Sequence, residues 1–226
     1  ASESTELPLP FIRSTVELAP GGRLPTAGAD LVGSALATLG SWLAVGAPRA
    51  AGGGKVHLVS LHDAANPRYF SSVHDGSGGL SLADGAGFDT ALAGLADPRS
   101  SNTAGGFHLA IGATESASDT GSVYLVALST RGSVTRWTRI ASGRNNFTAA
   151  LSSGAQFGSA LAMLSNAHAG SSTMTLAVSA RQNQRISNTP TGARVHGSVY
   201  ILQLDADGVV ADFRTIEAGV GGFHAR

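Results

Sequence analysis

Short apolar segments, separated by glycine-rich segments that form turns, recur along this chain in a fixed order. The most regular of them reads Leu-Ala-Val/Ile-Gly/Ser-Ala and begins at residues 43, 109 and 176, so successive copies start 66 and 67 residues apart. A segment of about five residues that is apolar on both faces predicts a strand buried on both sides. The nearly constant spacing of three copies predicts an architecture in which one structural unit is repeated.

Three further segments accompany each copy and bring the unit to four predicted strands. A Ser/Thr-Ala-Leu-Ala segment precedes the central one, and a segment with alternating apolar positions, such as Val123 and Leu125, follows it. The fourth segment is the most polar, and its three copies occupy residues 68–73, 134–140 and 209–216. Polarity that increases toward the fourth strand predicts a sheet in which that strand forms the outer edge.

The repeat divides the chain into three blades of four antiparallel strands, at residues 28–84, 85–153 and 154–226, the last of which includes the start of a further blade. Residues 1–27 contain one strand-like segment, residues 11–16, which we interpret as the outer strand of a preceding blade. Such repeats predict an all-β fold, a β-propeller, which closes with about 4–8 blades. We therefore expect this chain to be part of a larger propeller.

Composition narrows the classes of function. The net charge is zero and only 13% of residues are charged, which argues against the basic face of a nucleic-acid-binding protein. The chain has no cysteine, so disulfides and thiolate metal sites are excluded. No apolar run approaches the roughly 20 residues that a membrane-spanning helix needs, and we expect no membrane insertion within this segment.

The repeated motifs resemble those of the FG-GAP repeats in the propeller heads of integrin α-subunits. Phe157-Gly158 and residues 43–48 match the family pattern literally, and residues 121–125 and 197–201 match its closing strand. The resemblance covers roughly residues 28–223 and is closest in style to FG-GAP repeats of microbial and algal surface proteins. It implies an extracellular or cell-surface location.

The resemblance also implies a calcium loop between the first two strands of each blade, and here the sequence departs from the family. A hard cation such as calcium requires several oxygen ligands. Only three residues separate these strands in the first repeat, and residues 165–170 of the third contain no acid. The second repeat has a single acid, Asp97. We expect no cofactor, with Asp97 as the one remaining calcium candidate.

Other candidate chemistry is sparse. The seven histidines show no helical zinc-site spacing and no accompanying carboxylate cluster, so we interpret them as structural or surface residues. The run from Gly52 to Lys55 lacks the spacing of a phosphate-binding loop. No nucleophile elbow occurs, although a hydrolytic triad stays open because triads are defined by geometry. We predict no catalytic residue. The histidines are His57, His62, His74, His108, His168, His196 and His224.

Three polar segments, which we predict to be loops, are candidate binding surfaces, since a rigid scaffold commonly displays variable loops. They are residues 97–106, 165–173 and 181–196, and the last is longer than its counterparts. Asn146 begins a glycosylation sequon in a loop between repeats. Trp42 and Trp137 could stack on sugars, but residues of this kind more often close a hairpin or cover a sheet edge. The candidate binding residues are Asp97, Arg99, Asn102, Asn166, His168, Arg181, Gln182, Asn183, Gln184 and Arg185.

These observations favour a non-catalytic, extracellular or cell-surface propeller segment. Its function would be protein–protein binding, adhesion or structural assembly in a matrix, filament or appendage. Its partners would be other chains or the remaining blades of the same parent protein, with glycans as a further class. One alternative is an accessory propeller domain of a secreted or surface hydrolase, since FG-GAP-like propellers also occur attached to a phospholipase that cleaves lipid anchors. Another alternative is a lectin-like carbohydrate-binding module.

Overall fold

The computed structural model describes residues 30–63, 66–82, 86–96, 106–115, 120–164, 173–186 and 194–217 of the 226-residue chain. These residues form twelve β-strands and one short 3-10 turn, Ser77–Gly79. The strands form three four-stranded antiparallel sheets, so the predicted all-β class is confirmed. The predicted segment 1–27, with its strand at residues 11–16, lies outside the described residues.

Each sheet consists of four consecutive strands that pair in chain order, with the first and fourth strands at the two edges. The predicted edge position of the fourth strand is therefore confirmed. Each sheet lies inside one predicted repeat, while the repeat boundaries themselves stay predictions. Sheet 1 contains β1 (Leu36–Leu39), β2 (Trp42–Ala47), β3 (Lys55–Ser60) and β4 (Arg68–Val73). Sheet 2 contains β5 (Phe88–Ala96), β6 (Phe107–Ala113), β7 (Ser122–Leu128) and β8 (Val134–Ile140). Sheet 3 contains β9 (Phe157–Leu164), β10 (Met174–Ile186), β11 (Arg194–Leu204) and β12 (Val210–Ile216).

The core lies in two layers, one between sheets 1 and 2 and one between sheets 2 and 3. Sheet 2 contributes to both layers, because successive side chains of a strand point to opposite faces. Tyr124 and Val126 of β7 belong to the layer with sheet 1, whereas Val123 and Leu125 belong to the layer with sheet 3. All four side chains are at most 3% exposed. In β7, the alternating pattern thus corresponds to burial on both faces.

The backbone at the start of sheet 3 lies directly against glycines of sheet 2. Phe157 N–H donates to the Thr120 carbonyl at 2.9 Å, and Gly121 forms a parallel bridge with Phe157. A Cβ on Gly112 would lie far inside van der Waals contact with the Gly158 carbonyl oxygen. The first two sheets repeat part of this contact, since Phe88 N–H donates to the Gly53 carbonyl at 3.0 Å. Close approach of two backbones is a position where only glycine fits.

The structure corrects the prediction of a long loop at residues 181–196. Strand β10 continues to Ile186 and β11 begins at Arg194, so the two ends of the predicted loop belong to one long β-hairpin. The two strands pair from Gln184 and His196 to Ile186 and Arg194, after a register shift between Ala180 and Gln184. The polar composition predicted a loop incorrectly, because backbone groups make the hydrogen bonds of a β-ladder. Polar side chains do not prevent the backbone from pairing.

Candidate functional site

Most of the predicted binding loops lie outside the described residues. They include Asp97, which is also the calcium candidate, together with Arg99, Asn102, Asn166 and His168, so these assignments stay predictions. The described residues contain no group of three or more histidine, aspartate or glutamate side chains that could hold a metal ion.

Among the predicted binding residues of the long hairpin, those whose side chains the structure describes, Arg181, Gln182 and Asn183, do not form one surface. Arg181 and Gln182 are exposed on β10, and the Arg181 guanidinium donates to the Gln156 side-chain carbonyl. Gln184 and Arg185 lie in β10 by their backbones. Asn146 is exposed, with a φ of 59°, in the segment between β8 and β9. The sequon at Asn146 is therefore sterically accessible to an attached glycan.

The prediction of Asn183 as a contact residue is wrong, because its side chain is completely buried. Its side-chain oxygen accepts hydrogen bonds from the backbone N–H and the hydroxyl of Ser152, at 3.0 and 3.1 Å. Its amide nitrogen donates to Ser198 Oγ at 3.3 Å and to Tyr200 Oη at 3.0 Å. The register shift before Gln184 accounts for this placement, since a β-bulge redirects the side chains beside it.

Replacing Asn183 by alanine is expected to lower the free energy of unfolding by about 3 kcal/mol. The substitution removes the four hydrogen bonds of a buried side chain, and each such bond contributes about 0.5–1.5 kcal/mol net. Urea unfolding followed by circular dichroism measures the change. The matched control is Gln182→Ala on the exposed neighbour, which should cost less than about 0.5 kcal/mol. Equal costs for the two variants would show that the network contributes nothing.

A buried carboxyl group, that of Asp89, lies at the contact between sheets 1 and 2. Its Oδ2 accepts hydrogen bonds from Ala47 N–H at 2.6 Å and from Lys55 N–H at 3.2 Å, so a side chain of β5 binds the ends of β2 and β3. The side chain is fully buried, and Oδ1 has no hydrogen-bond partner. Asp89 therefore joins two sheets through backbone amides that are distant in the chain.

The backbone of Asp89 has a conformation that favours glycine. Its φ is 82°, and the residues at the same place in the other repeats are glycines, Gly33 and Gly158, with φ values of 93° and 94°. A non-glycine residue in such a conformation costs about 1–3 kcal/mol and persists where the surrounding structure holds it. The repeat alignment contains a signal for this site, because an acid replaces a glycine, but sequence reasoning did not use it.

Burial raises the pKa of the Asp89 carboxyl to about 7, although the backbone hydrogen bonds from Ala47 and Lys55 act in the opposite direction. Desolvation dominates because an isolated charge is costly in a medium of low polarity. The group therefore changes its charge close to neutral pH. A carboxyl group with a shifted pKa can serve catalysis. The two groups that hydrogen-bond to the Asp89 carboxyl, however, are backbone amides of the strands β2 and β3.

His57 occupies, in sheet 1, the position that Tyr124 and Tyr200 occupy in the other two sheets. Its ring is fully buried and lies 5.9 Å from the ring of Tyr69, centroid to centroid. Burial is the main cause that lowers the pKa of His57, the nearby Lys55 charge adds to it, and Asp30 opposes it. The ring is therefore uncharged at neutral pH, as a packed aromatic side chain would be.

The two tryptophans pack against other aromatic rings. Trp42 is 6% exposed and makes an edge contact with Phe70 at a centroid distance of 4.6 Å. Trp137 is half-buried beside Tyr124, at 6.1 Å. These contacts favour the role of covering a sheet over that of stacking on a sugar, because the faces of Trp42 are not available to a ligand.

An apolar groove of about 470 Å³ opens between the first strands of sheets 1 and 2. Leu36 and Thr38 of β1 line one side, and Leu92 and Gly94 of β5 line the other. The lining contains no charged side chain, so the groove offers shape and apolar contact but no group for acid–base chemistry.

Comparison with known proteins adds no family assignment. No protein-family model matches the sequence, and no curated protein is significantly similar to it.

In the part of the chain that the structure describes, no helix has the length and apolar character needed to cross a membrane.

Proposed function

We propose that this chain is a non-catalytic segment of an extracellular or cell-surface β-propeller with FG-GAP-type repeats, and that it serves protein–protein binding or structural assembly. Its partners are other protein chains or the remaining blades of the same parent protein. The observation that carries the proposal is that one sheet-to-sheet contact is built twice from equivalent residues.

The repeated contact supports assembly because each unit buries one face against the next, as in other repeat proteins. Phe88 lies against Tyr124 and Phe157 lies against Tyr200, both edge to face, at centroid distances of 5.5 and 5.8 Å. Stacked sheets of this kind form a rigid scaffold on which loops can vary without loss of the fold. A scaffold with variable loops is suited to the binding of other molecules.

The extracellular or cell-surface location and the propeller architecture are parts of the proposal, and both rest on the resemblance to the repeats of surface proteins. The exposed sequon at Asn146 supports an extracellular location, since glycans are attached to accessible loops of secreted proteins. No cofactor is part of the proposal, because Asp97 alone cannot supply the several oxygen ligands that calcium takes.

The test uses the full chain, immobilised and exposed to protein extracted from the surface of the source cells. We expect saturable binding of a protein ligand that survives enzymatic removal of glycans from that ligand and survives chelation of calcium. The triple variant Asp97→Asn, Arg99→Ala, Asn102→Ala should lose most of this binding. The matched control is Thr130→Ala, an exposed change in the turn between β7 and β8.

Two outcomes would overturn the proposal in favour of an alternative. Turnover of ester or phosphodiester reporters in proportion to the amount of the chain would identify a hydrolase. Binding that disappears when the ligand is deglycosylated, and that free sugars compete away, would identify a lectin-like module. Loss of binding on chelation would show that a calcium site contributes.

A further inference from the structure

The face of sheet 3 that points away from sheet 2 carries an apolar set of five residues, which we call the outer face: Ala162, Ala177, Val199, Ile201 and Ile216. Ala177 pairs with both Ala162 and Ile201, and Val199 pairs with Ile216, so the five form one continuous patch. Ala162 and Val199 are exposed, Val199 to 36%, and the other three are half-buried. Among the described residues, no sheet covers this patch.

Sheet 2 has the same set in the same register, and there it is buried. Its members are Ala93, Ala110, Val123, Leu125 and Ile140. Ala110 pairs with Ala93 and Leu125, and Val123 pairs with Ile140. None of the five is more than 7% exposed, because sheet 3 packs on them.

Sheet 1 shows the arrangement a third time. Ala44 pairs with Ala37 and Leu58, and Val56 pairs with Val73. Ala44, Leu58, Val56 and Val73 are completely buried under sheet 2, and Ala37 is packed against the same cluster. Of the three equivalent faces in the described part of the chain, two are thus covered by the next sheet, whereas no described sheet covers the third.

The cover has the same chemistry in both cases. It consists of two aliphatic side chains on the second strand of the covering sheet, and of a tyrosine and a further aliphatic side chain on its third strand. In sheet 2 the cover is Leu109, Ile111, Tyr124 and Val126. In sheet 3 it is Leu176, Val178, Tyr200 and Leu202.

A polar contact accompanies the apolar one at the fourth strand. Ser71 donates from Oγ to the Gly132 carbonyl at 3.2 Å, and Thr138 donates from Oγ1 to the Asp207 carbonyl at 3.4 Å. In both cases the acceptor lies in the third-to-fourth-strand turn of the covering sheet. Arg214 has the equivalent place in sheet 3, pairing with Ile201, and its guanidinium is also a hydrogen-bond donor.

We infer that the outer face of sheet 3 is a docking surface for a fourth sheet of the same repeat pattern. The partner presents an aliphatic pair and a Tyr-x-aliphatic strand to the outer face, and a turn carbonyl to Arg214. The inference rests on the proposed function, because it assumes that the repeats assemble by stacking. Apolar burial drives the docking, since sheet packing removes these side chains from water.

A second copy of this chain is a poor occupant. The corresponding face of its sheet 1 has His57 where the covering sheets have tyrosine. His57, Val45 and Val59 are already at most 7% exposed in the single chain, so that face would have to be uncovered before it could dock. A further repeat with tyrosine at this position meets no such obstacle.

The test uses the absence of cysteine from the chain, which makes Val199→Cys a single reactive thiol on the outer face. Its rate of reaction with a maleimide is compared between the full chain and the same chain extended after Ile216 by a second copy of residues 141–217. Because Ile216 is equivalent to Ile140, this junction repeats the natural connection between sheets 2 and 3. We expect the extension to slow the labelling at least about tenfold, as for a group that reacts only when packed structure opens.

Two controls separate docking from general effects. Thr130→Cys, in an exposed turn of sheet 2, should react at the same rate with and without the extension. In the extended chain, Ile201→Arg in the first copy of sheet 3 should restore fast labelling of the thiol at position 199. Amide hydrogen exchange reports whether the appended repeat is folded.

Equal labelling rates of the thiol at position 199 with and without the extension would overturn the inference. An appended repeat that stays unfolded when it is joined to sheet 3 would also overturn it. Labelling of the unextended chain that slows as its concentration rises would show that a second copy is the occupant instead. The loop-dependent capture of a surface protein is measured independently of this face. The two tests therefore distinguish a failure of docking from a failure of the proposed function.

Discussion

Replacing Asp89 by asparagine is expected to stabilise the protein at pH 8 by about 4 kcal/mol. It should also make the free energy of unfolding depend less on pH between pH 4 and pH 8. The native carboxyl has a pKa of about 7, against an ordinary value of 3.8, and each pKa unit corresponds to about 1.4 kcal/mol. Asparagine keeps an oxygen acceptor for the amides of Ala47 and Lys55 but carries no charge at any pH. It also tolerates a positive φ better than most residues.

The sign of the pH effect follows from the raised pKa of the Asp89 carboxyl. Because burial raises this pKa, the native state holds the proton more tightly than the unfolded chain does. The stability that the proton contributes is complete below about pH 4, the unfolded pKa, and is lost as the pH rises through about 7. Wild type and variant should therefore be closest in stability near pH 4 and differ most at pH 8.

Urea unfolding of both proteins over this pH range measures the difference. Asp212→Asn is the matched control, because that aspartate is 54% exposed and its ion pair with Arg214, at 3.5 Å, lies at the surface. The control should follow the wild-type curve within about 0.5 kcal/mol. Parallel curves for wild type and Asp89→Asn would show that the Asp89 carboxyl keeps its ordinary pKa in the folded protein.

Replacing Gly112 by alanine is expected to destabilise the protein by about 3 kcal/mol, the upper range for inserting a methyl group into a packed interior. The new Cβ would lie far inside contact with the Gly158 carbonyl oxygen, and its other near neighbours are also backbone atoms, of Gly158 and Ala91. Backbone in packed strands cannot move aside as a flexible side chain can. The contact between sheets 2 and 3 would therefore have to open.

Two glycines provide a graded comparison for this clash. Gly154 has a φ of 74° with nothing near its Cβ position, so Gly154→Ala carries only the conformational cost of about 1 kcal/mol. Gly46 is the equivalent of Gly112 in sheet 1, and its Cβ would approach Ser34 Oγ at 3.0 Å and the Asp89 carbonyl at 3.1 Å, a milder crowding. Thermal unfolding should rank Gly112→Ala as the most destabilising of the three. A cost no larger than that of Gly154→Ala would show that the two sheets are not in contact at Gly112.

The arrangement of the strands could be predicted because the repeat is written in local patterns. Residues 43–47, 109–113 and 176–180 each lie within the second strand of a sheet, and the polar fourth segments are edge strands, as predicted. Alternating apolar positions and glycine turns act over a few residues, so the chain itself carries this information. The same locality explains the error at residues 181–196, where polar side chains conceal a backbone ladder.

The candidate site was less accessible to sequence reasoning. Asn183 has the character of a surface residue, yet a bulge in β10 places it at the centre of a buried network with Ser152 and Tyr200. The departure of Asp89 from the glycine pattern is visible in the sequence, but its consequence is not. The amides it binds lie 42 and 34 residues earlier in the chain.

The sequence by itself determined the repeat, the four strands of each unit and their order within a sheet, because these depend on short-range periodicity and on turns. Only the tertiary structure decided which of three equivalent faces is open, at Val199 and Ile201, and which buried group is ionisable near neutral pH, at Asp89. Both properties arise where separate sheets meet. Burial, and with it desolvation, is set by what packs on a residue and not by its neighbours in the chain.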